Sequence, residues 1–274
     1  MQELEINNLR PYYFGSWRSS VPEFATVLAN LRDGKLREDD THRLINVSSG
    51  KYVWRCQDGG FDFAYKTQQG KTPWRYLFRP SLPVRECRHY QLLAELGIPT
   101  AQVLAVGETR CFCLLRESFL VTAFLDGTRD GRCFMTGGEF RTGHEELCRQ
   151  FCREHLRLLA VLHEHRWFHK AFHPRNLLFR QDADGKLEQC YWIDVARLRP
   201  VTPRQMERAV LVDLHTFFRD MQLPRKQVEE LVQFYVSCRQ SPVAAASTLV
   251  QEMVKQFLGN NAPRSCVHAR AGDG

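Results

Sequence analysis

The chain has 274 residues, with 38 Lys plus Arg against 31 Asp plus Glu, a net charge of +7 with histidine neutral. Apolar residues make up 43% and charged residues 25%, ordinary globular usage that excludes a wholly disordered chain, and the length suits about two packing units. No apolar run approaches the roughly 20 residues of a membrane-spanning helix, and the positive excess is too modest and too spread out for a nucleic-acid binder.

Met1–Asn8 carries Glu3, Glu5 and the amino terminus without an apolar core, so no secretory signal and a cytoplasmic location are expected. Residues 1–40 read as an N-terminal extension with a helix over Pro22–Leu31. Three short apolar or β-branched runs follow, Leu44–Val47, Tyr52–Cys56 and Phe61–Tyr65, separated by Ser48-Ser49-Gly50 and Asp58-Gly59-Gly60. Turn formers between such runs predict hairpins. Pro83 opens a helix that runs to Leu96 and stops at Gly97-Ile98-Pro99, the usual proline-first, glycine-last asymmetry. Val103–Val106 and Phe119–Phe124 complete a five-strand sheet, which Asp126-Gly127 ends.

The second half is helical. Leu147, Phe151, His155, Leu158, Leu159 and Leu162 recur at helical spacing and form one face. An irregular stretch, 163–176, leads to strand-like Leu177–Phe179 and Tyr191–Ile193, then helices over Met206–Met221, Arg225–Arg239 and Val243–Leu258 and a loose tail, 259–274.

Ten cysteines show no CxxC pair, the nearest neighbours being Cys111 with Cys113 and Cys148 with Cys152. Reduced thiols are expected rather than a disulfide framework or a metal site. His155, His163, His165, His169 and His173 are dense, but Pro174 and apolar neighbours keep 169–173 off a helix and no carboxylate or cysteine completes a ligand set, so zinc is not expected. Arg75, Arg79, Arg85 and Arg88, beside Trp74 and Tyr76, are either a solvated face or one that attracts an anionic saccharide.

A β-rich part with one helix followed by a helical part is the order of a protein-kinase-like fold, and several residues fall where that fold needs them. Lys66 closes the third strand and Glu86 lies on the following helix; such a pair meets as an ion pair that aims the lysine at ATP phosphates. His169-Lys170-Ala171-Phe172-His173-Pro174-Arg175-Asn176 lies on the catalytic-loop pattern. Trp192-Ile193-Asp194 takes the place of the metal-binding segment, and Asn176 with Asp194 offers hard oxygen donors for Mg²⁺. Asp213 matches the helix aspartate that braces the loop.

These segments, with the Gly97-Ile98-Pro99 turn, the Leu162-His163 step and Asp194 followed by Arg197, resemble the bacterial lipopolysaccharide kinase (Kdo/WaaP) family, including its InaA-type branch, over roughly residues 40–258. The resemblance implies an α+β, protein-kinase-like fold: an antiparallel β lobe with one helix, 41–125, and a shortened helical lobe, 126–258. It implies ATP and Mg²⁺ as cofactors, with a sugar of the lipopolysaccharide inner core or another hydroxyl compound as acceptor. The enzyme would work in the cytoplasm or at the inner face of the inner membrane. Ser48, Ser49 and Gly50 would meet the phosphates, the backbone of Ala123 and Leu125 the adenine edge, and Thr122 the back of its pocket. His169 would pack the catalytic loop.

Two departures bear on activity. Ala171 stands where the family pattern has the catalytic aspartate, and Gly50 alone remains of the glycine-rich loop. Phosphoryl transfer draws most of its acceleration from positioning and charge neutralisation, so a slow kinase is expected, with His173 a candidate replacement base. A pseudokinase that binds nucleotide and regulates a partner is the alternative.

Overall fold

The computed structural model describes residues 2–4, 13–19, 21, 23–33, 37–48, 50–69 and 73–240, with positions 248 and 251. The predicted helix Val243–Leu258 and the tail fall almost wholly outside these residues. In chain order the elements are β1 (Gln2–Leu4), β2 (Tyr13–Ser19), α1 (Phe24–Asp33), β3 (His42–Ser48), β4 (Lys51–Asp58), β5 (Phe61–Gln69), α2 (Leu82–Glu95), β6 (Val103–Cys111) and β7 (Leu114–Ala123). Then come β8 (Thr128–Asp130), α3 (Glu145–Glu164), β9 (Trp167–Phe168), β10 (Leu177–Gln181), β11 (Leu187–Trp192), β12 (Arg199–Pro200), α4 (Pro203–Met221) and α5 (Arg225–Ser237). The chain divides into two units, Met1–Asp130 with Asn176–Leu198, and Gly131–Arg175 with Arg199–Gly274.

The first unit holds an antiparallel seven-stranded sheet in the order β1-β2-β6-β7-β5-β4-β3, two strands more than the sequence suggests. The additional strands come from the stretch read as an extension. β2 finds its partner only in three dimensions, in β6, with Tyr13 opposite Cys111 and Ser19 opposite Ala105.

Strand periodicity decides what each face carries. Phe63 and Tyr65 of β5, with Phe119 and Val121 of β7, pack under Phe24, Val27, Leu28 and Leu31 of α1, which recur at helical spacing. Side chains alternate across a strand, so Lys66, one position past Tyr65, belongs to the opposite face. The predicted Asp58-Gly59-Gly60 turn is a two-residue hairpin with both glycines at positive φ, +58° and +79°. A Cβ on Gly59 would sit 2.5 Å from Val27 Cγ2, whereas one on Gly60 would meet nothing. Gly59→Ala is therefore expected to cost about 2–3 kcal/mol, strain plus clash, and Gly60→Ala only the left-handed penalty of about 1–2 kcal/mol; urea unfolding of the two variants measures the difference.

Helix α2 starts at Ser81, whose Oγ accepts from Val84 N at 3.5 Å. It closes with Gly97 N donating to Ala94 O and Ile98 N to Leu93 O, satisfying carbonyls the helix end would orphan. A three-stranded sheet, β11-β10-β8, completes the first unit. Residues 176–198 are joined to it where Trp192 bridges Thr100 and donates its N–H to Pro99 O at 3.0 Å.

The second unit is built from α3, α4 and α5 with the short β9–β12 pair. The α3 face read from the sequence is buried, and Val228, Leu231, Val232 and Tyr235 of α5 are buried as well. Phe217 of α4 lies 5.3 Å from Phe172, centroid to centroid. The architecture is α+β, as expected. The nine cysteines among the described residues are all free.

Candidate functional site

Lys66 and Glu86 meet within the first unit. Lys66 Nζ donates to Glu86 Oε1 at 2.8 Å and Oε2 at 3.1 Å, and Asp194 Oδ1 lies 3.6 Å from the same ammonium. Glu86 is 2% exposed, so its carboxylate depends on this cation, and Tyr90 OH adds a donor at 3.4 Å. Burial works against the Lys66 charge, but Glu86 and Asp194 outweigh it and hold its pKa above the ordinary value. Burial pushes the Glu86 carboxyl up against the pull of Lys66.

One helical face fixes the segment that carries Asp194. Arg85, Glu86, His89 and Tyr90 fall at i, i+1, i+4 and i+5 on α2, a spacing that puts them on neighbouring positions of a helix surface. Arg85 Nη2 donates to Ala196 O at 3.3 Å and His89 Nδ1 to Val195 O at 2.8 Å. Burial lowers the His89 pKa, so the ring is neutral with its proton on Nδ1, as the carbonyl requires. Arg85 thus holds backbone, which corrects its reading as part of a saccharide-facing cationic surface. Asp194 itself sits at φ +54°, a conformation uncommon outside glycine and held by its surroundings.

Ile193 N donates to Asn176 O at 2.9 Å, so Asn176 and Asp194 lie on adjacent chain segments. A carboxylate and an amide oxygen suit Mg²⁺, which keeps waters and phosphate oxygens as its other ligands and needs no all-protein cage. Among the described residues no group of three or more His, Cys, Asp or Glu could hold a metal by itself, as this mode of binding allows.

The remaining nucleotide positions are less complete. Gly50 is in the β3–β4 turn at φ +81°, where glycine is the residue that adopts the turn freely. Ser48 pairs with Lys51, and Ser49 lies outside the described residues. Thr122 is paired with Ala64 and Val103 within the sheet. The Ala123 N–H is spent on Gln102 O at 2.8 Å, and Leu125 O accepts from Thr128 Oγ1 at 2.6 Å. Any backbone contact of this segment with a base edge would therefore fall to the Ala123 carbonyl and the Leu125 N–H rather than to the Ala123 N–H.

The loop 169–173 is organised inside the second unit. Asp213 is fully buried and accepts from His169 N and Lys170 N, both at 2.8 Å, while His163 Nε2 lies 3.2 Å away. Lys170 takes φ +62°, which directs both amides toward one carboxylate. His169 packs its ring 5.4 Å from Phe172. Ala171 is 5% exposed and its carbonyl accepts from His173 N at 2.7 Å. His173 Nδ1 lies 2.7 Å from Asp220 Oδ2, a partner the sequence did not disclose. Burial opposes the Asp220 charge, but His173 and Arg219 outweigh it and hold its carboxyl below the usual range. The pair is therefore an imidazole oriented by a carboxylate, the arrangement that fixes a base's tautomer.

A cavity of about 410 Å³ in the second unit is lined by Phe134, Arg141, Cys148, Cys152, Leu231 and Phe234 among others, and no candidate residue borders it. No helix among the described residues is long and apolar enough to cross a membrane.

Residues 67–235, more than half of the chain, match the family described as "Lipopolysaccharide kinase (Kdo/WaaP) family". Among solved structures the chain is similar to "WaaP in complex with acyl carrier protein", at 19% identity and a TM-score of 0.55, covering 79% of this chain and 88% of that one. No curated protein matches the chain.

Proposed function

Because the chain belongs to the lipopolysaccharide kinase (Kdo/WaaP) family, a family of kinases, we propose that it transfers the γ-phosphate of ATP to a sugar hydroxyl of the lipopolysaccharide inner core. The observation that carries the reading is the Lys66–Glu86 pair at 2.8 Å with Asp194 at 3.6 Å from the same ammonium. Glu86 holds Lys66 extended toward the phosphates. Asn176 and Asp194 would hold Mg²⁺, and the chemistry it would supply is neutralisation of the charge on the phosphoryl group. The β3–β4 turn at Gly50 would meet the phosphates, and Thr122 with the backbone of Ala123 and Leu125 would border the adenine. His169 and Asp213 shape the loop that receives the acceptor.

With alanine at 171, the acceptor proton goes to His173. Asp220 on Nδ1 leaves Nε2 as the basic nitrogen, and the imidazolium that forms is stabilised by the carboxylate 2.7 Å away. His173→Ala is expected to slow transfer by about 10²-fold, the weak end of what a general base supplies, because the transition state is loose. Asp220→Asn is expected to slow transfer by less than His173→Ala, since the ring keeps its basic nitrogen but loses the carboxylate that orients it.

Ala171 also supports a second reading, a nucleotide-binding module that regulates a partner without transfer. Mg²⁺-ATP separates the cases. At a hundredfold excess over Kd, a ligand that binds only the native state adds about 2.7 kcal/mol, a rise in Tm of about 5 °C or more, which Asp194→Ala should abolish. Labelled phosphate appearing on core saccharide selects the kinase, and binding without transfer selects the module. No shift in either protein removes both.

A further inference from the structure

On the first unit, Trp74 is 72% exposed, Phe78 85% and Phe112, in the β6–β7 turn, 67%. Arg110 gathers them at one tip. Its Nη1 donates to Tyr76 O and Cys113 O, both at 3.0 Å, and its Nη2 to Arg79 O at 2.8 Å, while Glu108 Oε1 holds its Nε at 2.6 Å. A single guanidinium therefore ties the segment that carries Trp74 and Phe78 to the turn that carries Phe112. Phe78, Phe112 and Cys113 take φ of +56°, +46° and +66°, a region that bulky residues rarely enter. Such strain persists only where surrounding bonds impose it, and here it holds two of these rings on the surface.

The charge around the tip is positive. The segment that carries the two rings, residues 74–79, has Arg75 and Arg79 and no carboxylate. Arg79 and Arg116 are exposed, with Glu117 the exposed carboxylate of the hairpin, and Glu108 is neutralised by Arg110. Aromatic side chains that present both apolar area and a cationic border suit the headgroup layer of a bilayer, where tryptophan is enriched and arginine meets anionic lipid. A tip fixed in advance loses little entropy on docking.

We propose that this tip is a membrane-docking surface: Trp74 and Phe78, flanked by Phe112, enter the interfacial layer of a bilayer containing anionic lipid, and Arg79 meets its headgroups. The proposal rests on this surface alone and stands apart from the nucleotide site.

Co-sedimentation of the full chain with phosphatidylethanolamine–phosphatidylglycerol vesicles tests it, with phosphatidylcholine vesicles as the uncharged comparison. The expected result is binding to the anionic vesicles that weakens with salt, drops about tenfold in Trp74→Ser/Phe78→Ser, and drops about fivefold in Arg79→Glu. Both changes are at exposed side chains, so Tm and circular dichroism should stay at the wild-type values. Absence of vesicle binding by the wild-type chain overturns the proposal, as does undiminished binding by the aromatic double variant. Capture of a small acidic protein through the same residues, with vesicles ignored, overturns it too. The Mg²⁺-ATP thermal shift, read on the same samples, reports on the nucleotide site separately.

Discussion

Asp213→Ala is expected to lower the unfolding free energy by about 3–5 kcal/mol, the range for removing one side of a buried, charged hydrogen-bonded cluster. The carboxylate is fully buried and serves three donors, the amides of His169 and Lys170 and the Nε2–H of His163. Alanine leaves the His169 amide and the His163 ring without this acceptor in a buried site, and the Lys170 amide without it in a half-buried one. Asp213→Asn keeps one acceptor oxygen and should lose less. The measurement is the urea midpoint at unchanged slope, with trypsin cleavage after Lys170 as a local readout of loop release. A Asp213→Ala protein within about 1 kcal/mol of wild type, where ordinary surface substitutions fall, would contradict the bracing role.

The same cluster sets a pH dependence. Burial lowers the His163 pKa, although Asp213 pulls the other way. The neutral ring accepts the Tyr235 hydroxyl proton at Nδ1, 2.7 Å away, and donates from Nε2 to Asp213. A histidine whose folded pKa lies below its unfolded value binds its proton more readily in the unfolded chain. Stability therefore falls as pH drops below about 6.5, the unfolded value. This loss should shrink in a His163→Gln protein, which has no proton to take up.

How far the sequence discloses this site depends on the kind of contact involved. Lys66, Glu86, Asp194 and Asp213 were legible as a set because their residue types and order along the chain follow one family pattern, in which a strand lysine meets a helix carboxylate and a later aspartate braces a loop; both contacts are found. The Asp58–Phe61 hairpin was legible because two glycines demand positive φ. β2 was not, since Tyr-Phe-Gly-Ser-Trp-Arg-Ser lacks a clean alternation and its place comes from pairing with β6. Arg85 read as a member of a basic cluster, and the bonds that Arg85 and His89 make were not legible, because their acceptors are backbone carbonyls, which leave no mark in a sequence. Asp220 carried no signal in the sequence, and only packing brings it to His173. The strand that ends at Ala123 was predicted, but the bond from its N–H to Gln102 O was not, because a backbone acceptor leaves no mark in a sequence.

Lys66→Met is expected to abolish the Mg²⁺-ATP thermal shift and to slow phosphoryl transfer by about 10³-fold, the effect of losing one preorganised donor to a developing anion. Methionine keeps the length and apolar stem of the lysine, so the strand register of Lys66 with Val53 and Leu120 should survive. What changes is Glu86, which at 2% exposure then has no cation. Burial already pushes this carboxyl up, and without Lys66 it will take a proton, with Tyr90 OH still at hand. A carboxyl whose folded pKa is raised binds more protons native than unfolded between the unfolded value, about 4.3, and its own. Stability then declines as pH rises through that interval. The variant should accordingly lie closest to wild type near pH 5 and fall behind it toward pH 8, while Lys66→Met/Glu86→Gln should not show that drift. A purely structural ion pair would give the pH signature with ATP binding intact. A nucleotide site gives both losses together, and retention of transfer by Lys66→Met would remove this ammonium from the reaction.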